Sequence, residues 1–257
     1  YDMLAFDETE QVSVSYVDDY LSHNAEITHV AVVHCETTTG VLNPLKEIAH
    51  LVKMHGKKLI VDAMSSFGGV PLDVHELGID FLISSANKCI QAFRDLASSS
   101  LAVPSCCTAR ASPSHSLSTF TTNGKPWRKD MANGVFTSPT HVVRAFKQAM
   151  DELAEEGGVE ARHNRYCENH RVLVDACVPS VSKRCCRTRF NRPLLLLSSI
   201  LMPISISKTF YTQLKERGFV IYPGKISQAD TFRIGNIGDV HPEDFWQLIE
   251  IIRECKY

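Results

Sequence analysis

Two short apolar runs, a helix length apart, constrain this chain more than anything else in it. Leu59-Ile60-Val61 ends on Asp62, and Phe81-Leu82-Ile83 ends on Ser84-Ser85-Ala86-Asn87-Lys88. Fully apolar runs of this length, spaced so, read as buried parallel strands. In sheets of that kind, ligand groups sit just past the carboxyl ends of the strands. Asp62 and Lys88 both fall there. A carboxylate and an amine on neighbouring strand ends are what pyridoxal phosphate needs: a lysine for its aldehyde and an acid for its pyridine nitrogen. On spacing alone, a turn-capping aspartate and an exposed lysine are the simpler account.

The neighbouring segments extend the pattern. Ser13 to Asn24 carries Val14, Val17 and Leu21 at helical spacing, and Thr28 to Cys35 is a β-branched run that reads as a strand. That strand ends on Glu36-Thr37-Thr38-Thr39-Gly40. The three hydroxyls either cap the next helix or reach a bound ring oxygen or phosphate. Asn43 to Gly56 predicts an amphipathic helix, with Pro44 at its start and Gly56 at its end. A strand over 58–63 follows, then a turn at Phe67-Gly68-Gly69, which lacks the pattern of a phosphate loop. A short helix is expected over Val74–Leu77. The order β-α-β-α-β predicts an α/β domain with a mostly parallel sheet.

Downstream, helices are expected over Ser138–Glu156, Val159–Val178, Thr209–Arg217 and His241–Cys255, with Arg162, Arg165 and Glu168 on solvated faces. Phe219–Tyr222 and Phe232-Arg233-Ile234 read as brief strands. His34 reads as a core histidine with a backbone partner.

Composition excludes several classes. A net charge of −2 provides no general pull toward nucleic acid or an anionic membrane. The longest apolar candidate, Pro193 to Pro203, falls short of the roughly 18 residues that span a bilayer. Nine cysteines without a signal peptide fit reduced thiols in a cytoplasm. Cys106-Cys107 and Cys185-Cys186 are adjacent pairs, not zinc spacings. The opening Tyr1-Asp2-Met3, with no methionine at position 1, reads as a fragment.

Five stretches carry a resemblance: HCETTTGVLNPL (34–45), VDAMSSFGGVPLD (61–73), DFLISSANKCIQ (80–91), FTSPTH (136–141) and GFVIYPGKISQADTFRIGNIGD (218–239). In order and spacing they resemble the class V, fold-type I aminotransferases, and within them those acting on 2-aminoethylphosphonate and pyruvate. The resemblance implies a large pyridoxal phosphate domain over 1–145, incomplete at its start (α/β/α), and a small α+β domain over 146–257. It implies that Lys88 attaches the cofactor and that Asp62 pairs with its ring nitrogen. Thr37 falls where a cofactor-contacting threonine lies. Thr137 falls where a hydroxyl meets the phosphate of the neighbouring subunit's cofactor, which implies a homodimer. Arg233 falls where an arginine holds the substrate's acid group, since a guanidinium fork matches carboxylate or phosphonate oxygens. From the residues alone, Thr137 serves equally as a helix cap and Arg233 as a surface ion-pair partner.

The resemblance stops in two windows. From Ala92 to about 135 the family pattern would continue Gly-Ile-Pro-Gly-Phe-Gly, but the chain reads Ala-Phe-Arg-Asp-Leu-Ala. Codons GGC ATT CCG GGA TTT GGC TTC, read one base late, encode the latter. The window therefore reads as translation in a shifted frame, and 178–206, with its basic cluster Lys183-Arg184 and Arg187-Thr188-Arg189, reads alike. The implied reaction is transfer of the amino group of 2-aminoethylphosphonate to pyruvate, with a weakened cofactor grip. The alternatives are another class V aminotransferase, such as an alanine–glyoxylate type, and an inactive product of a degraded coding sequence.

Overall fold

In the computed structural model of the protein, residues 1–7, 10–37, 39–92, 97–101, 140–180, 208–226 and 229–255 are described. The first half builds a four-stranded sheet. Helix α1 (Val14–His23) starts where the Ser13 hydroxyl accepts from the Tyr16 amide, satisfying a free donor of the first turn. Strand β1 (His29–Val33) follows, then helix α2 (Leu45–Met54) and strand β2 (Lys58–Asp62). Strands β3 (Phe81–Ser85) and β4 (Ala97–Leu101) complete the sheet in the order β1-β2-β3-β4. β1, β2 and β3 run parallel, in a register that sets Val33 beside Asp62 and Asp62 beside Ile83. Their carboxyl ends are therefore level.

α2 packs Leu45, Ile48, Ala49 and Val52 against Leu59, Val61 and Leu82 of the sheet. Alternation along a strand sends adjacent side chains to opposite faces. Val61 is thus fully buried on the α2 face, while Ile83 on the other face is 40% exposed. At the end of α2 the chain reverses through Gly56, whose φ of +66° is a left-handed cap.

One expectation changes here. Val74–Leu77 is not a helix but a turn: the Asp73 carboxylate accepts from the amides of His75 and Glu76, and Leu77 N–H donates back to the Asp73 carbonyl. An aspartate that bonds the backbone two residues on competes with helix extension. Within the window read as a shifted frame, Ala97–Leu101 pairs antiparallel with β3 through main-chain bonds, which a serine-rich sequence makes as well as any other. The rest of that window, apart from 92 itself, and almost all of 178–206 lie outside the described residues, as does Thr137.

The C-terminal half is helical around a small hairpin. Helices α3 (Thr140–Glu155) and α4 (Gly158–Ser180) are separated by Glu156 and Gly157, and Gly157 and Gly158 both take positive φ. Helix α5 (Lys208–Glu216), strands β5 (Tyr222–Ile226) and β6 (Ala229–Arg233) and helix α6 (Pro242–Glu254) follow. The hairpin corrects the expected strands: the first starts at Tyr222 rather than Phe219, and the second ends at Arg233, opposite Tyr222. Val172 and Leu173 of α4, Phe210 and Leu214 of α5 and Phe245, Leu248 and Ile249 of α6 form a separate core. No helix among the described residues is long and apolar enough to cross a membrane.

Candidate active site

The level strand ends bring three loops together. After β1 the chain forms a narrow loop: Glu36 N–H donates to Val41 O, and Gly40 N–H returns to Glu36 O with Gly40 at φ +73°. Thr37 sits on this loop, and its hydroxyl is hydrogen-bonded to that of Ser65, just beyond β2. Asp62 is the final residue of β2. One of its oxygens accepts from the Met64 amide at 2.9 Å, and no cation pairs with it among the described residues. Lys88 lies on the turn after β3, half-buried, and its ammonium makes no hydrogen bond or ion pair among the described residues. The structure thus places Thr37, Asp62 and Lys88 on one edge of the sheet. Arg233 closes β6, in the C-terminal half, beyond the reach of β1–β3 pairing.

Burial tunes the groups around this edge. His34 is 6% exposed and shares a 2.9 Å hydrogen bond with the Ser66 hydroxyl, so its partner is a side chain rather than the expected backbone. Desolvation lowers its pKa to about 4, which keeps the ring neutral. A neutral, enclosed histidine of this kind supports the loop. Glu36 is pushed above the usual carboxylate range, by burial first and then by the nearby Asp62 charge. Two carboxylates therefore share this corner, and the sequence pointed to only one of them. Ser65 was also missed. Serines after a strand are common, and nothing in their spacing says which one meets Thr37.

The Lys88 turn is held closely. Gln91 N–H donates to Lys88 O and Ala92 N–H to Ala86 O. Cys89 donates its thiol to Ser65 O at 3.2 Å, and burial holds that thiol protonated, at a pKa of about 12. A Cβ on Gly69 would lie 2.6 Å from Cys89 Sγ, so only glycine lets the two turns approach this closely. Gln91 takes φ +64° without being glycine. From α4, Arg162 donates to the Cys89 carbonyl at 2.8 Å and, more weakly, to that of Ile90 at 3.4 Å.

Arg162 and Arg165 are not on solvated faces. Arg162 is 2% exposed, and both guanidinium groups donate to Glu156 at 2.7 Å. A buried guanidinium persists only where a carboxylate and carbonyls satisfy its donors, and helical spacing says nothing about partners that far along the chain. Glu168 is half-exposed and pairs with Arg171, as a surface position would.

A cavity of about 570 Å³ lies elsewhere, between the first residues and β1, lined by Phe6, Val12, Leu21, Val30 and Val32. Glu36 reaches its wall, but Asp62 and Lys88 do not. It follows the outer edge of β1, which no strand pairs among the described residues.

The sheet, parallel over β1 to β3, thus carries an acid and a lysine at its carboxyl edge. Residues 2–92 match the family model of class-V aminotransferases. Pyridoxamine–pyruvate aminotransferase from Mesorhizobium loti superposes with a TM-score of 0.81 at 23% identity, covering 96% of this chain and 66% of that one. Ureidoglycine–glyoxylate aminotransferase from Bacillus subtilis does so with a TM-score of 0.81 at 21% identity, covering 98% and 65%. Those two likenesses establish the fold.

The particular family follows from closer relatives. The 2-aminoethylphosphonate–pyruvate transaminase of Phocaeicola vulgatus is 66% identical over 98% of this chain and 70% of its own length. That of Vibrio vulnificus is 47% identical over 97% of this chain and 68% of its own length. The chain belongs to the 2-aminoethylphosphonate–pyruvate transaminase family. It spans about 70% of the nearer of these relatives and slightly under two thirds of the two solved structures.

Proposed function

We propose that the chain transfers the amino group of 2-aminoethylphosphonate to pyruvate, using pyridoxal phosphate, to form phosphonoacetaldehyde and alanine. The observation that carries this is a lysine and an aspartate, both with open hydrogen-bonding capacity, at one sheet edge of a chain 66% identical to an enzyme of that name. The residues fit the cofactor: Lys88 is the amine for its aldehyde, Asp62 the acid for its ring nitrogen, and Thr37, bridged to Ser65, a hydroxyl beside the ring. When bound, pyridoxal phosphate supplies an electron sink for the carbon that loses the amino group. Asp62, as a carboxylate, holds the ring nitrogen protonated. The Lys88 amine, once the substrate amine has displaced it from the aldehyde, would be the base that takes the proton from the substrate carbon. Arg233 receives the phosphonate or carboxylate through its guanidinium fork.

The same reading divides the chain into a cofactor domain over 1–145 and a small domain over 146–257. The separate cores around α2 and around α6 support this division. It also takes the active unit as a cytoplasmic homodimer, with Thr137 at the neighbouring subunit's cofactor phosphate. Light scattering of the purified protein tests the dimer.

The deciding experiment reconstitutes the protein with pyridoxal phosphate, reduces it with borohydride and maps the adduct. Alanine formation from 2-aminoethylphosphonate and pyruvate is followed in parallel. An adduct on Lys88 and turnover lost in Lys88→Ala are expected. An adduct spread over surface lysines, or turnover retained in Lys88→Ala, would overturn the reading.

A further inference from the structure

We infer that Arg162 and Tyr166 of α4 are positioning residues that set the Lys88 turn relative to the segment following Arg233. This rests on the proposed transaminase reading for its catalytic meaning, though not for its geometry.

The two side chains lie one helical turn apart, so they project from the same face of α4. Arg162 donates to the carbonyls of Cys89 and Ile90, the two residues after Lys88. The Tyr166 hydroxyl accepts from the Gln91 side-chain amide at 2.8 Å. The three residues after Lys88 are thus gripped from one helix. The same hydroxyl accepts from the Gly238 amide at 3.2 Å, and the Tyr166 carbonyl accepts from the Asn236 side chain at 3.2 Å. Arg165 donates to the carbonyls of Gly238 and Val240 at 2.8 and 2.7 Å, and its guanidinium lies over the Tyr166 ring. Glu156 ties both arginines together.

One hydroxyl and one carboxylate therefore connect the turn carrying the cofactor lysine with the segment running on from β6, where Arg233 ends the strand. The two also meet in one small apolar cluster, in which Ile237 packs against Cys35, Val70, Cys89 and Tyr166. Residues 234–240 and the Lys88 turn share no strand pairing, and α4 is the element to which both are bonded. Tyr166 is fully buried and Arg162 nearly so, so water cannot replace these bonds when one is lost. Burial also raises the Tyr166 pKa, so its hydroxyl stays neutral and keeps its proton.

The test uses Arg162→Met, Arg162→Lys and Tyr166→Phe in the full chain. Tyr166→Phe preserves the buried ring and serves as the mild variant should Arg162→Met fail to fold. Amide hydrogen exchange of the cofactor-free protein reads the coupling directly. In Arg162→Met and in Tyr166→Phe, amides in 89–92 and in 236–240 should exchange faster together, by about tenfold, as expected for the loss of a buried hydrogen bond. Arg162→Lys should restore part of the protection, since one ammonium reaches one carbonyl. In reconstituted protein, the pH midpoint of the cofactor absorbance band should shift in Arg162→Met and return toward wild type in Arg162→Lys. Faster exchange confined to one of the two segments, or unchanged exchange in both, overturns the inference. Wild-type protein that takes no adduct at Lys88 overturns the transaminase reading instead, and leaves the exchange result to decide the coupling.

Discussion

Asp62 and Lys88 reach the same edge of the sheet by opposite means. Asp62 ends a central strand. It is flanked by β1 and β3, and its neighbours Val61 and Ala63 are fully buried. Its position is set by register and by apolar packing against α2, which are non-directional forces spread over many contacts. Lys88 sits on a turn that packs through Cys89 against Cys35, Val70 and Tyr166 and is tied in addition by a few directional bonds: Cys89 to the Ser65 carbonyl, Arg162 to two carbonyls, Gln91 to the Tyr166 hydroxyl. The acid is held by the sheet and the amine by that packing and long-range polar contacts. The first arrangement tolerates small changes, whereas the second transmits them.

The largest expected effect tests whether the acid works as a charge. Asp62→Asn keeps the shape and removes the carboxylate, and should lower transamination about 10²- to 10⁴-fold, in line with loss of a proton-holding group. Steady-state rates with saturating pyridoxal phosphate check this, and near-normal rates would remove Asp62 from the chemistry.

Leu82→Ala should cost about 2–5 kcal/mol of stability, as a large-to-small change in a packed core. Leu82 is 2% exposed beside Val61. Urea unfolding reads this, and hydrogen exchange in 89–92 should remain slow relative to the global loss if the Lys88 turn is held independently.

Acid should separate the strand end from the turn as well. His34, lowered to about 4, stays neutral when folded but titrates near its ordinary value when unfolded. Between those values the unfolded state binds more protons, so stability falls as pH drops from about 6.5 to 4, by about 3 kcal/mol in all. Glu36, raised by burial and by Asp62, runs the other way: its contribution is lost as pH rises through its folded pKa. The measurement is therefore the difference between wild type and His34→Gln in unfolding free energy across that range. Relative to the variant, wild type should lose about 3 kcal/mol as pH drops through that range.

Gly69→Ala is the sharpest probe of the turn. The new methyl would meet Cys89 Sγ at 2.6 Å and Tyr166 Cε2 at 3.0 Å, forcing the two turns apart at a cost of about 1–3 kcal/mol. Thermal melting reads the cost, and weaker trapping of pyridoxal phosphate at Lys88 shows that the amine has moved. Unchanged trapping would mean that the turn absorbs the methyl without displacing the lysine.

Much of the sheet and of its edge was legible in the chain. Leu59–Val61 and Phe81–Ile83 are apolar throughout, so as strands they must be buried, and the helix between β1 and β2 follows from the spacing of Leu45, Ile48 and Val52. Strand ends then place Asp62 and Lys88 without further information. Local pattern fails where one residue's role is set by a partner that spacing does not reveal, near or far. Asp73 turns its own backbone away from a helix through bonds at short range, and this was missed because the apolar spacing of Val74 and Leu77 carries the same weight in a turn.

The sequence by itself determined the strands β1 to β3, most of the helices and their order, and which edge of the sheet carries an acid and an amine, because long apolar periodicity and strand polarity are local properties. Only the tertiary structure decided that Arg162 is buried rather than solvated, that Glu36 crowds Asp62, and that Tyr166 joins the Lys88 turn to the segment after β6. A charged side chain is interred wherever enough fixed dipoles meet it, and those dipoles come from residues about seventy positions away in the chain.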